Sequence, residues 1–431
     1  MSKRVFRQSK RYAFSSAAKN ELLQCIIYDK MHRRSAFTGI RAKLAGINMD
    51  VAFAEKLSEL NNDFYRNQAV SFSDTRHAKW PGWERCLDEI RAASRDKQAL
   101  RVLDIACGNL RFEEYLAKYC EELPVNWQVF VNALDACDDL VPETCAGKQV
   151  IRSTQKNSGE ASGVSKAKKE SETSGINKAK KEDKTEDALL SSGLSRSVKR
   201  ITCDMAVTFT HCDIMQALAS NTLKDALKVE NFSEERAQVT VAFGFMHHVP
   251  LLEWCLQLLN DMISVTAPDG FVCVSFWRFM DDEAMAAKAR KTHSQAIDYL
   301  VKNGYFDDCF EETRTENPWT SVQLEAGEFQ GTSNDESRNA TTFKLCKSDN
   351  KVRDVAAFES RKSDIFQQFN EGDYLLGWRN LPGVYRYCHS FSDEEIDSLV
   401  TLVADKAKCV ARFRADGRTG SLNEYLVLQV R

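Results

Sequence analysis

The chain alternates short apolar runs with amphipathic ones. The runs "LRVLDIA" (100–106), "WQVFVNALD" (127–135), "MAVTFTHCD" (205–213), "QVTVAFGF" (238–245) and "GFVCVSFW" (270–277) have the length and β-branched content of strands. Helical spacing of apolar residues separates several of them, as over 111–121 and 251–265. A further helix is expected over 392–404, then the strands "KCVARFRA" (408–415) and "NEYLVLQV" (423–430). The intervening "DGRTGSL" is turn chemistry, so these two strands should form a hairpin. Strands alternating with helices predict an α/β fold with a mostly parallel, doubly wound sheet of seven strands, ended by an antiparallel hairpin. A ligand should sit at the carboxyl ends of the parallel strands.

Two polar stretches interrupt this pattern. Residues 148–200 contain the near repeat "SGVSKAKKESE" (162–172) and "SGINKAKKEDK" (174–184), with few large apolar side chains. Such a segment cannot bury enough surface to offset its ordering entropy, so a disordered insertion is expected. Residues 311–357 lack clear periodicity and read as a flexible, lid-like insertion. The expected division is a basic, partly helical arm over 1–58 and one domain made of 59–147 and 201–431.

Composition narrows the class. With 43% hydrophobic and 28% charged residues in 431, the chain resembles a soluble globular protein. No apolar run approaches the roughly 20 residues that span a bilayer. The fourteen cysteines include no CxxC pair, which argues against a zinc site of the usual spacing, so no metal is expected. Free thiols in that number suit a reducing compartment, and a cytoplasmic location is the expectation. The net charge of −3 is uneven: residues 1–50 carry eleven Lys or Arg against three acids. A basic arm of this kind suits a polyanionic partner, although a mitochondrial presequence has the same look.

The candidate chemistry lies at strand ends. In "VLDIACGNLRF" (102–112) an apolar strand runs into Asp104, then a turn through Ala106, Cys107, Gly108 and Asn109, then a helix. A small residue at Gly108 lets a ligand approach the backbone. The pattern is not GxGxxG, so no dinucleotide pyrophosphate site is read. The next strand ends at Asp135, well placed to accept ribose hydroxyls. "THCDIM" puts Asp213 after the third strand, and "FGFMHHV" puts Phe243 at the end of the fourth. In this order the elements resemble class I S-adenosyl-L-methionine-dependent methyltransferases, with their Rossmann-like fold. The resemblance implies that Asp104 helps hold the methionine part of the cofactor, Asp135 the ribose and Asp213 the adenine. Ala106 and Leu110 stand where that family usually has glycine, and the bulk of Leu110 should crowd the turn.

"FSDTRHAKWPGW" (72–83), "GDYLLGWRN" (372–380) and "YRYCHSFSDEEIDSLV" (385–400) carry a narrower likeness. They resemble segments of the tRNA wobble-uridine methyltransferases that esterify 5-carboxymethyluridine. That resemblance implies tRNA as partner and substrate, and a small activator protein as a second partner. Arg76 and Arg386 would orient the carboxylate or phosphate, with His77 and His389 donating hydrogen bonds nearby. Trp80 or Trp378 would offer a face to the base, unless both are core aromatics. A carboxylate acceptor is already ionised at neutral pH and needs no general base. His247 and His248 read either as cavity residues or as satisfied structural histidines. The alternatives are a small-molecule O-methyltransferase and a non-catalytic methyltransferase-like scaffold that binds RNA.

Overall fold

The computed structural model describes residues 49–93, 99–121, 128–153, 204–227, 236–310 and 347–431. The elements, in chain order, begin with helices α1 (Val51–Ser73) and α2 (Pro81–Ala93), strand β1 (Ala99–Ile105), α3 (Arg111–Glu121) and β2 (Gln128–Asp135). Three short strands follow, β3 (Thr144–Cys145), β4 (Lys148–Gln149) and β5 (Ile151–Ser153). Next come β6 (Asp204–His211), α4 (Ile214–Ala219), α5 (Leu223–Ala226), β7 (Ala237–Ala242), α6 (Leu252–Val265), β8 (Thr266–Trp277) and α7 (Glu283–Lys302). The last part holds α8 (Lys347–Gln368), β9 (Asp373–Gly377), β10 (Tyr385–His389), α9 (Asp393–Val403), β11 (Ala407–Ala415) and β12 (Asn423–Val430).

The main sheet has eight strands in the order β11-β12-β8-β7-β1-β2-β6-β5. β1 pairs in parallel with both β2 and β7, while β12 runs antiparallel to β8 and β11. This is the Rossmann-like methyltransferase fold expected from the sequence, including the terminal hairpin. β1 can be almost wholly apolar because helices cover both faces of the sheet. One face packs Phe53, Leu57, Leu258 and Ile297 from α1, α6 and α7. The other packs Trp83, Ile90, Phe112 and Leu116 from α2 and α3. In α6 the buried residues fall at 254, 255, 258, 259, 262 and 263, the stripe of a helix lying on a sheet. After β1 the chain winds to β2 and β6 on one side and returns to β7 on the other. That reversal opens a crevice at the carboxyl ends of β1 and β7.

Three boundaries differ from expectation. α1 begins at Val51, inside the segment read as a basic arm. Asp50 caps it by accepting from the Phe53 amide, and Phe53, Ala54 and Leu57 are wholly buried, so hydrophobic burial binds this helix into the domain. The first residues of the 148–200 insertion are ordered as β4 and β5, and β5 adds an eighth strand beside β6. The last residues of the 311–357 insertion open α8. The remaining expectations for 1–48, 154–200 and 311–346 lie outside the described residues. No helix among the described residues is long and apolar enough to cross a membrane.

Candidate active site

A cavity of about 730 Å³ occupies the crevice, walled by β1, β2, β7, α1 and the segment before α2. Its floor is the turn after β1. Ala106, Gly108 and Leu110 all have positive φ, at 59°, 58° and 56°. An L side chain in that conformation costs about 1–2 kcal/mol. Leu110 meets the cost by burying its side chain completely in the core. It does not line the cavity, so the expected crowding of the turn does not occur. A Cβ on Gly108 would meet nothing within 4 Å, which leaves the backbone there open to a ligand.

Asp135 faces this turn from the end of β2. Its Oδ2 accepts from the Gly108 amide at 2.8 Å and its Oδ1 from the Cys137 amide at 2.8 Å. Burial pushes its carboxyl above the ordinary range against the pull of those amides. A carboxylate offers about four acceptor positions, so roughly two remain for vicinal hydroxyls. Asp104 is buried in the cavity wall beside Glu113 of α3. Asn109 reaches from the turn to the carbonyl of Arg76 at 3.4 Å. Asp213 lines the cavity, but its oxygens accept from the Gln216 amide and Asn62 Nδ2, so it also caps α4 and ties it to α1. Phe243 packs on Phe112 with ring centroids 5.0 Å apart, an aromatic wall beside Cys107.

Arg76 and Arg386 project into the other half of the cavity. The Arg76 guanidinium lies 4.3 Å from the Phe72 ring centre and donates to Thr75 Oγ1. Arg386 is buried, stacks near Phe64 at 5.1 Å and donates to Tyr65 Oη at 3.2 Å. Among the described residues neither guanidinium forms an ion pair. Burial and the charge of Arg386 push Arg76 below the ordinary arginine range. Asp104, Asp135 and Asp213 line the cavity too, but none of them pairs with these guanidiniums. A buried and a half-buried cation without an ion-pair partner favour an incoming anion.

Behind them, Tyr65 Oη lies 2.7 Å from His248 Nε2, and His248 Nδ1 lies 3.0 Å from the Tyr387 carbonyl. Burial and Arg386 depress His248 to about 3, so it is neutral. His247 also lines the cavity, and its buried Nδ1 has no hydrogen-bond partner. Burial, His248 and Arg386 keep it neutral too. His247, His248 and Cys388 place potential ligand atoms within 4.8 Å of one another. A cation does not fit there, because both His248 nitrogens are engaged and Arg386 stands alongside.

Three expected site residues lie elsewhere. His77 is exposed and its Nε2 lies 2.7 Å from the Asp74 carbonyl, in the turn that ends α1. Trp378 stands behind the arginines, with its Nε1 donating to Ser71 Oγ at 3.0 Å and its ring edge-on to Phe64. His389 belongs to a second depression, held between Asp373 at 2.7 Å and Glu395 at 3.1 Å. Trp80 does line the cavity, but the Arg111 guanidinium lies 4.8 Å from its ring centre and so competes for a face. Gly244, with φ 72°, lets that ring lie close: a Cβ there would sit 2.9 Å from it. Sequence reasoning did not single out Asn61, Asn62, Tyr65, Glu113 or Arg111. The polar cluster "NNDFYR" on an otherwise amphipathic helix was the available signal for the first three.

No protein-family model and no curated protein matches the chain. Solved structures align with it at low identity. A SAM-dependent methyltransferase from Methanosarcina mazei is 11% identical, with 78% of this chain and 93% of that chain covered and a TM-score of 0.35. CalS10, an amino pentose methyltransferase from Micromonospora echinaspora solved with SAM bound, is 11% identical, with 85% and 96% covered and a TM-score of 0.33. The N-methyltransferase NodS from Bradyrhizobium japonicum, in complex with S-adenosyl-L-homocysteine, is 9% identical, with 80% and 86% covered and a TM-score of 0.29. Likeness at this level bears on neither substrate nor activity. The fold rests on the strand order and on the crevice it creates.

Proposed function

We propose that the protein is an S-adenosyl-L-methionine-dependent methyltransferase that esterifies a carboxylate, the acceptor being the carboxymethyl group of a modified wobble uridine in tRNA. The observation that carries this reading is one cavity with two halves. One half has an open glycine turn and the partly free Asp135 carboxylate, and the other has two guanidiniums that form no ion pair among the described residues. S-adenosyl-L-methionine, when bound, supplies an electrophilic methyl group on a sulfonium. Gly108 would allow its close approach and Asp135 would accept from its ribose hydroxyls.

Arg386, and Arg76 opposite, would bind the acceptor carboxylate and fix one oxygen for in-line attack. Arg386 is itself positioned by Tyr65, which is held by His248. Neutral His247 can add a hydrogen bond without adding charge. No side chain need remove a proton, because the acceptor is already ionised. Esterification cancels the acceptor's negative charge, so the same guanidiniums bind product more weakly than substrate. Arg66, at the cavity edge and held by an exposed ion pair with Asp63, could exchange that partner for a phosphate.

The test supplies radiolabelled-methyl S-adenosyl-L-methionine with tRNA bearing 5-carboxymethyluridine, and separately with small carboxylic acids. The reading expects label on the tRNA that mild base releases as methanol, as an ester must. Arg386→Gln should reduce turnover at least about a hundredfold, the scale of a lost charged contact in the transition state, with cofactor affinity retained. Base-stable label, or full turnover in Arg386→Gln, would contradict it. Label only on a small acid would keep the chemistry and discard tRNA.

A further inference from the structure

Glu113 is the least satisfied polar group beside the cavity. It lies on the face of α3 that carries Phe112, Leu116, Ala117 and Cys120 into the core, and its accessible surface is 0%. Neither carboxyl oxygen has a hydrogen-bond partner. A buried carboxylate stripped of donors is among the costliest groups a core can hold. Its neighbour is Asp104, 3% exposed, which forms part of the cavity wall. Among the described residues neither carboxyl forms an ion pair.

The surroundings oppose a second negative charge. Asp135 from β2 and Glu114 from α3 are the other acids facing the pair, and the thiols of Cys107 and Cys145 lie close by. Burial raises both carboxyls. The charge of Glu113, and its readiness to accept a hydrogen bond, raise Asp104 further, while donation from Asp104 holds Glu113 back, so Asp104 is the one that keeps the proton. Two such acids titrate as one unit and retain a proton between them. That proton also satisfies an oxygen that the static geometry leaves without a donor.

We propose that Asp104 and Glu113 are a proton-holding pair that discharges when the cationic amino-acid end of S-adenosyl-L-methionine docks against Asp104, so that cofactor binding releases a proton. This rests on the methyltransferase reading and deepens it. In the free protein the pair carries one proton and one negative charge. When a positive charge arrives beside Asp104, ionisation of the second carboxyl balances it, and the displaced proton passes to solvent. Glu113 thus acts through Asp104 and is a positioning residue. Its role is to hold Asp104 in the protonated state until a cation is present.

The experiment is calorimetry of S-adenosyl-L-methionine binding at pH 6.5 in buffers of different ionisation enthalpy. At that pH an α-amino group, with its pKa of about 7.7–8.0, is already cationic and contributes little proton exchange. The wild-type enthalpy should vary with buffer ionisation enthalpy with a slope near one released proton. Affinity should tighten as pH rises from 5.5 to 6.5, approaching the ~tenfold per pH unit of one-proton linkage. Glu113→Gln should bind the cofactor with a slope near zero and a flatter pH profile. The wild-type profile is a test that does not depend on the variant folding. Wild-type binding with no buffer dependence, or an unchanged slope in Glu113→Gln, overturns the proposal. Absence of wild-type binding in every buffer overturns the methyltransferase reading beneath it.

Discussion

His389 carries its charge for the fold. Burial works against protonation, but Asp373 and Glu395 on either side outweigh it and raise the imidazole from the ordinary 6.5 to about 10. A group whose pKa is higher folded than unfolded stabilises fully below the unfolded value and loses that contribution as pH rises through the folded one. His389→Gln should therefore cost about 3–5 kcal/mol near pH 6.5, the scale of breaking a buried charge pair. The deficit should narrow steadily toward pH 9.5 in urea unfolding, and a gap independent of pH would contradict this assignment. The same strand explains why the sequence misplaced this residue. Side chains alternate along β10, so Arg386 and His389, three positions apart, face opposite sides. Tyr387 and His389 both meet Asp373, while Arg386 meets Tyr65. The family resemblance grouped the two cationic residues in one site, whereas the strand's period separates them. Asp104, Gly108 and Asp135 were legible because strand ends place them without further information. Leu110 misled for the opposite reason: its bulk is visible in the sequence, but the direction it points is not.

At the scale of elements, the start of α2 is latched to the terminal hairpin. Asp416 accepts from the Gly82 amide at 3.0 Å and from Asn423 Nδ2 at 2.8 Å, and also from the Tyr425 hydroxyl. Its carboxylate sits at the amino end of α2, where the helix dipole favours negative charge. Gly82 has no room for a side chain, since a Cβ would fall 2.2 Å from the Tyr425 ring. Asp416→Asn, which tolerates the positive φ of 67° there, should destabilise the protein by about 1–3 kcal/mol in urea unfolding. An unchanged midpoint would show that the latch is idle. This contact joins residues more than 300 positions apart, and no local pattern announces it. α1 escaped full recognition for a related reason. Its inward face mixes Phe53, Leu57 and Phe64 with Asn61, and the polar residue weakens the apolar stripe although it is buried against Tyr387.

At the scale of the molecule, the topology was legible because the core strands are apolar on both faces and separated by helices. The convergence on one crevice was legible only in part, since α1 and β10 bring Tyr65 and Arg386 into the cavity from opposite ends of the chain. The central claim is that this crevice holds S-adenosyl-L-methionine by the turn after β1 and by Asp135. The most direct test is isothermal calorimetry of cofactor binding to the wild-type chain and to Asp135→Asn, with circular dichroism confirming that both are folded. The account predicts one site with a Kd on the order of micromolar, or −8 kcal/mol, weakened at least about tenfold in the variant, which corresponds to the loss of about one hydrogen bond to a charged acceptor. A folded wild-type chain that binds no cofactor, or a variant that binds it as tightly, would contradict the account.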